Sequence, residues 1–234
     1  MRGQEGQEQA TIKIKRCEKI DQPGSYKLVN NLHATGDCLV ISADGVTIDL
    51  AGFAMTGDGT GAAIKGPPQS STKTIPALRT VVRNGDISNF AQGIKLSGIA
   101  EGLRITSNHN GISVGVGIVR GNTVQSNDAV GIDVADGLVT NNVVIKNQTG
   151  ISVREAAVIT YNAVEGNTVG VDVTGMGSTV IGNIIDDNSQ IGLRIQCPSN
   201  ITDNTAVGNG PKGSNGTNLV LIDPGCRNEG NVAP

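Results

Sequence analysis

Aromatic residues are nearly absent from this chain of 234 residues, which has two Phe, two Tyr and no Trp. That scarcity argues against a core built around large rings, so small branched side chains must fill the interior. No run of about 18 or more apolar residues occurs, and no segment reads as a membrane span. The opening MRGQEGQEQA has no apolar h-region and does not read as a signal peptide, which leaves an exported origin open. Neither sign of charge prevails. The formal net charge is −3 with both signs interspersed, and the broad cationic field that nucleic acid or anionic lipid would need is missing, so no nucleic-acid partner is expected. Histidine is limited to His33 and His109, far apart, which argues against a His-centred metal site or nucleophile; no Ser lies in a G-x-S-x-G elbow. Cysteine occurs only towards the two ends, as Cys17, Cys38, Cys197 and Cys226, without a Cys-x-x-Cys. Three pairings are open. Cys17 with Cys38 and Cys197 with Cys226 would each staple a terminal region for about 2 to 4 kcal/mol and point to an oxidising compartment, extracellular or periplasmic. Four reduced thiols in a cytosolic protein is the alternative.

What the chain has instead is one sentence written many times. GNTVQSNDAVGIDV, NNVVIKNQTGISV, YNAVEGNTVGVDV and GNIIDDNSQIGLRI follow one another at roughly twenty-residue spacing. Aligned by their apolar positions, the copies give four aliphatic columns. The first is Val82, Ala100, Val119, Val139, Ile159, Val180 and Ile201; the second Ile87, Ile105, Val124, Val144, Val164, Ile185 and Ala206. The third is Ile94, Ile112, Ile132, Ile151, Val171 and Leu193, and the fourth Leu96, Val114, Val134, Val153, Val173 and Ile195. Columns three and four are two residues apart in a G-I-x-V unit, the period of one face of a strand, and the β-branched content excludes helices. Two further columns hold Asn: Asn122, Asn142, Asn162, Asn183 and Asn204, then Asn108, Asn127, Asn147, Asn167, Asn188 and Asn209. Asn tolerates left-handed backbone, so these are turns whose amides can bond from coil to coil in a ladder.

The pattern predicts an all-β chain: a single right-handed parallel β-helix with three short strands per coil and about eight or nine coils. A slip of one residue would turn the aliphatic columns outward, which ties the register to the core. Residues 1–10 are expected to be a disordered tail and 11–234 the β-helix. Within it, 11–37 would form an N-terminal cap and first strands, 66–79 and 208–218 lateral loops, and 223–234 a C-terminal cap over an otherwise exposed sheet edge.

With the block PGSYKLVNNL followed by CLVISADGVTIDLAGFAM, the chain resembles the right-handed β-helix, pectin-lyase-like superfamily, especially bacterial secreted members, over roughly residues 20–222. The resemblance implies the fold, and implies that a substrate would lie along the outer face of one strand stack, here the G-I-x-V strands. Most catalytic signatures of the family are missing. Of the polygalacturonase motifs only a paired Asp186 and Asp187 is present, near a turn, and RIQ at Arg194 to Gln196 stops short of Arg-Ile-Lys. The epimerase Asp-Pro-His is absent, because Asp223 and Pro224 are followed by Gly225.

The outward position of the G-I-x-V stack reads Lys95, Ser113, Asp133, Ser152, Asp172 and Arg194, with Arg154 two residues beyond Ser152. Asp133 and Asp172 should lie roughly 10 Å apart, two coils at about 4.8 Å each. That is near the upper end for inverting glycosidases, and it makes Asp133, Asp172 and Arg154 the candidate catalytic set. The same carboxylates could hold Ca²⁺ through water, although no cofactor is required, while Lys95, Arg154 or Arg194 meets a uronate carboxylate beside Ser113 and Ser152. All of these are also ordinary polar choices for solvent-facing strand positions. Two functions follow: an exported binding or surface-structural protein contacting an anionic polysaccharide, or a polysaccharide lyase or glycoside hydrolase on the same face. An ice-binding surface would need a flat Thr array, which the mixed charges do not provide. The oligomeric state is not readable.

Overall fold

The computed structural model describes residues 11–66, 80–211 and 217–234. Among them there is no helix, and the strands form one parallel solenoid of about nine turns. All three strand stacks are continuous through parallel pairing. The G-I-x-V stack includes the start of Gln92–Thr106, then Asn110–Arg120, Val130–Thr140, Thr149–Val153, Val169–Val173, Ile191–Gln196 and Thr217–Ile222. The second stack carries the first aliphatic column, and the third stack the second column.

Every predicted column is a register file. Val82 pairs with Ala100, Ala100 with Val119, and the file continues through Val139, Ile159 and Val180 to Ile201. Ile132, Ile151 and Val171 stack in the third column, and each is at most 1% exposed among the described residues. Burying one such side chain is worth about 1.5 to 3 kcal/mol, but no coil can do it alone; the neighbouring coils supply the contact.

The first residue of each G-I-x-V unit is Gly because no space remains for a Cβ. At Gly111 it would fall 2.4 Å from the Gly131 carbonyl oxygen, and at Gly150 2.6 Å from that of Gly170. This close approach lets the Asn ladder pass behind the strand. Asn108, Asn127, Asn147, Asn167, Asn188 and Asn209 bond amide to amide at 2.8–3.1 Å. A second ladder runs from Asn122 to Asn204 at 2.9 Å. Each is longer than its sequence columns, since Asn209 continues to Asn218 and Asn204 to Asn231.

Cys17 bonds Cys38 and Cys197 bonds Cys226, so the terminal pairing is the one present. The tail expected as a cap adds a further rung, with Arg227–Glu229 on Asn200–Thr202 and Val232 bridged to Thr205. The strand Thr217–Ile222 begins inside the expected 208–218 loop, so Asn218 belongs to the sheet. The expected tail 1–10 and nearly all of the 66–79 loop lie outside the described residues, as do 212–216.

Candidate functional site

The outward file of the G-I-x-V stack follows the predicted register: Lys95 beside Ser113, then Asp133, Ser152, Asp172 and Arg194. It extends further than the sequence columns indicate, downward to Lys65 and Val40 and upward to Val220. Asp133 and Asp172 are two rungs apart, as the spacing predicts.

Neither carboxylate is free. The Arg154 Nε donates to Asp133 Oδ1 at 3.1 Å, and Ser113 Oγ donates to Asp133 Oδ2 at 3.2 Å. Arg194 grips Asp172 with both Nε and Nη2, at 2.8 and 2.6 Å. That bidentate bond to Asp172 holds the Arg194 pKa above its ordinary value, against a smaller opposing effect of burial. The expected pair of open carboxylates is therefore two arginine–aspartate pairs. Ca²⁺ takes about six to eight oxygens, and Asp133 and Asp172 could offer theirs only after losing both guanidinium partners. No group of three acidic, His or Cys side chains gathers as a metal site among the described residues.

The two arginines differ in what they leave exposed. Arg194 spends two nitrogens on Asp172 and its side chain is 37% exposed. Arg154 spends only Nε and is 55% exposed, so its Nη1 and Nη2 fork stays available to a carboxylate or sulfate from outside. Asp133 acts here as the group that aims Arg154.

Why Arg154 projects at all is a matter of corner length. From the fourth aliphatic column to the next coil's first, Leu96 and Ala100 are four residues apart, and Val114 and Val119 five, as are Val134 and Val139. Val153 and Ile159 are then six apart, Val173 and Val180 seven, and Ile195 and Ile201 six. In the short corners Gly98 and Gly137, at φ +146° and +140°, carry the chain round in a backbone conformation other residues avoid. Where the corner lengthens, the chain bows outward and leaves an open groove of about 620 Å³. Asp136, Arg154, Glu155, Ala156, Thr174, Gly175, Met176 and Gln196 line it.

Asp136, Glu155, Thr174 and Met176 are not among the candidates that the sequence pattern singles out. The signal that would have found them is the stepwise lengthening of the corners. Lys95 and Ser152 lie on the same wall but outside this groove. Gln196 donates to Asp223 at 2.7 Å, which fixes the groove's upper edge. Tyr161, at φ 55° and 63% exposed, is the turn residue its position implied. Asn147, a glycosylation sequon by sequence, is 4% exposed and committed to its ladder.

No family model and no curated protein matches the chain. Among solved structures, it is similar to a threonine-to-asparagine mutant of the periplasmic alginate epimerase AlgG. The identity is 13% and the TM-score 0.46, over 94% of this chain and 73% of that one. A double mutant of the same epimerase gives 11% and 0.45, over 92% and 74%. At that distance the likeness concerns the winding of the chain.

Proposed function

We propose that this protein binds an anionic polysaccharide across the corner groove and the adjoining outer wall of the G-I-x-V stack, with Arg154 as the principal contact. The observation that carries the reading is the Arg154 fork, held at Nε by Asp133 and open at both terminal nitrogens beside the groove. A guanidinium aimed in this way matches a uronate carboxylate or a sulfate in two parallel hydrogen bonds. Lys95 offers a second cation on the same wall, three rungs from the Ser152 coil that carries Arg154, spaced for a chain that runs along the solenoid axis. The shortage of aromatic rings disfavours stacking on neutral sugars, so charge is the recognition available. The two disulfides fit a protein that works outside the reducing cytosol.

A catalytic reading draws on a different observation. Asp136 and Glu155 line the groove beside Arg154, so a lyase or hydrolase would use these two carboxylates with Arg154 bound to substrate. Asp133 and Asp172 suit that role less, being engaged by arginine.

Titration calorimetry with oligouronates and sulfated oligosaccharides tests the main reading. Binding that weakens at least about tenfold in Arg154→Gln, with the fold intact, supports it. Equal affinity in wild type and variant, or no binding to any anionic glycan, contradicts it. New reducing ends, or an unsaturated uronate chromophore, would move the assignment to the enzyme.

A further inference from the structure

The second strand stack carries a feature that its role in the core does not require. Its outward file holds Val81, Ile99, Ile118, Leu138 and Val158 in five successive coils. It is bounded by Thr47 on one side and Thr179 on the other. Outward positions of a solvated sheet are ordinarily polar, and a continuous aliphatic file is the pattern of a surface meant to be covered. One residue pair further along the same strands runs a charged file of Asp49, Arg83, Glu101 and Arg120. Its charges alternate in sign from coil to coil.

We propose that this face is a homodimer interface. Two copies pack their second stacks together with solenoid axes antiparallel, about a two-fold axis that runs along the strand direction between the Ile99 and Ile118 rungs.

That axis is selected by the chemistry of the two files. A rotation about the strand direction keeps the aliphatic file opposite the aliphatic file and reverses the order of the coils. Ile99 then meets the partner's Ile118, and Val81 meets the partner's Leu138. In the charged file Glu101 meets the partner's Arg120, and by symmetry Arg120 meets the partner's Glu101. A two-fold along the solenoid axis sets Ile99 against the partner's Glu101 when it runs between the two files, burying charge on hydrocarbon, and when it runs over the aliphatic file it leaves Glu101 and Arg120 without an opposite charge from the second copy. Within one chain both Arg120 bonds, from Nε and Nη2, go to Glu101 Oε2. Glu101 Oε1 and Arg120 Nη1 are left for the second copy. An open concavity of about 390 Å³, lined by Arg83, Asn84, Glu101, Gly102, Arg120, Gly121 and Asn141, leaves room at this point for the partner's side chains.

The size is adequate for a reversible dimer. The five aliphatic coils, at roughly 4.8 Å by about 10 Å of strand, give a flat apolar strip of roughly 240 Å², and the polar rungs flanking it on the nine-turn face bring the flat area to roughly 430 Å². Side-chain relief brings this to the neighbourhood of the ~600 Å² per partner at the lower limit of specific interfaces. Weak, reversible encounters sit at this low end of interface size, and a micromolar dissociation constant is the range to search. The aliphatic file adjoins the corner groove but shares no residue with it, so sedimentation and calorimetry read dimerisation and glycan binding separately.

The test is sedimentation velocity from about 1 to about 500 μM, a range that brackets the expected constant. Wild type should pass from monomer to dimer. Glu101→Arg and Arg120→Glu should each weaken the dimer at least about tenfold, since each sets like charges across the axis. An equimolar mixture of the two variants should recover association, because the heterodimer again pairs opposite charges. Leu138→Asp should stay monomeric with or without a partner variant. The variants lie at outward positions, and circular dichroism and melting confirm that each is folded. A wild type that stays monomeric throughout overturns the proposal. So does a dimer indifferent to Leu138→Asp, or a mixture of charge variants that does not associate.

Discussion

Asn162 is the residue on which the ladder can be read most fully. Its amide nitrogen donates to Val139 O, Thr160 O and Asn183 Oδ1 at 3.0, 3.1 and 2.9 Å. Its oxygen accepts from the backbone and side-chain nitrogens of Asn142 at 3.0 and 2.9 Å. Asn162→Ala should cost about 2 to 4 kcal/mol in a denaturant melt, because it strands buried groups on both neighbouring coils. Asn162→Asp, equal in shape but unable to donate to two carbonyls, should cost at least as much, which separates hydrogen bonding from packing. Asp37 gives a pH prediction of definite sign. Its carboxylate accepts from Lys65 Nζ at 2.8 Å and from the Ala62 N–H at 2.8 Å. The Lys65 hydrogen bond first, and then the Ala62 bond, hold its pKa below the usual value. A carboxylate depressed in the folded state stabilises it fully above its unfolded pKa, near 4, and loses that contribution as pH falls through the lowered value. Asp37→Asn should therefore narrow the stability difference between neutral pH and pH about 3, as followed by thermal melts. At this scale the Asn columns were legible because they recur at constant offset. Asn218 and Asn231 were not, since they follow Asn209 and Asn204 by nine and 27 residues instead of about twenty. The arginine–aspartate pairs were half legible. Arg194 lies directly opposite Asp172 in register, but Arg154 reaches Asp133 on a diagonal that depends on its rotamer.

At the scale of the element, the strands of the repeat were specified by alternation, whereas the corners and the last two strands, Thr217–Ile222 and Arg227–Glu229, were not. Each aliphatic column named from the sequence is a buried file in the molecule, because burial on one face admits only one register. A corner needs only to return the chain to the next strand, so its length can vary without penalty to the core. Variation there made the groove. The same argument exposes the strand glycines to test: Gly150→Ala would press a methyl group against the Gly170 carbonyl and the Asn167 amide, 2.6 and 3.0 Å away. Neither the Gly170 backbone nor the Asn167 side chain, held in its ladder, can yield cheaply, and the variant should lose about 1 to 3 kcal/mol or fail to accumulate as folded protein. A short serine ladder at the corner, Ser199 to Ser178 to Ala157 at 3.2 Å each, also escaped sequence reading, because only two copies carry it.

Across the whole molecule, stability should vary along the axis. Interior coils are covered on both sides, and end coils on one, so the ends are held by other means. Loops of 21 and 29 residues are closed by the two disulfides, each worth about 3 to 4 kcal/mol by chain entropy. Reduction should raise amide exchange in the coils around Cys38 and Cys197 while the rungs of Ile132 and Ile151 stay protected, a pattern that hydrogen exchange with mass spectrometry resolves. The fold was legible from the sequence because one physical rule, aliphatic side chains inward in register, is repeated about nine times. The candidate site was less so, because it is built of side chains that the core leaves free to vary. The corner groove, the arginine–aspartate pairs and the aliphatic face all require successive coils to share one outer wall in the stated register. Spin labels at Lys95→Cys and Arg194→Cys, five rungs apart on that wall and 99 residues apart in the chain, measure it directly by double electron–electron resonance. The register predicts a single narrow distance near ~24 Å, five spacings of about 4.8 Å, broadened only by the label linkers. A broad distribution, or a peak well beyond ~35 Å, would contradict it.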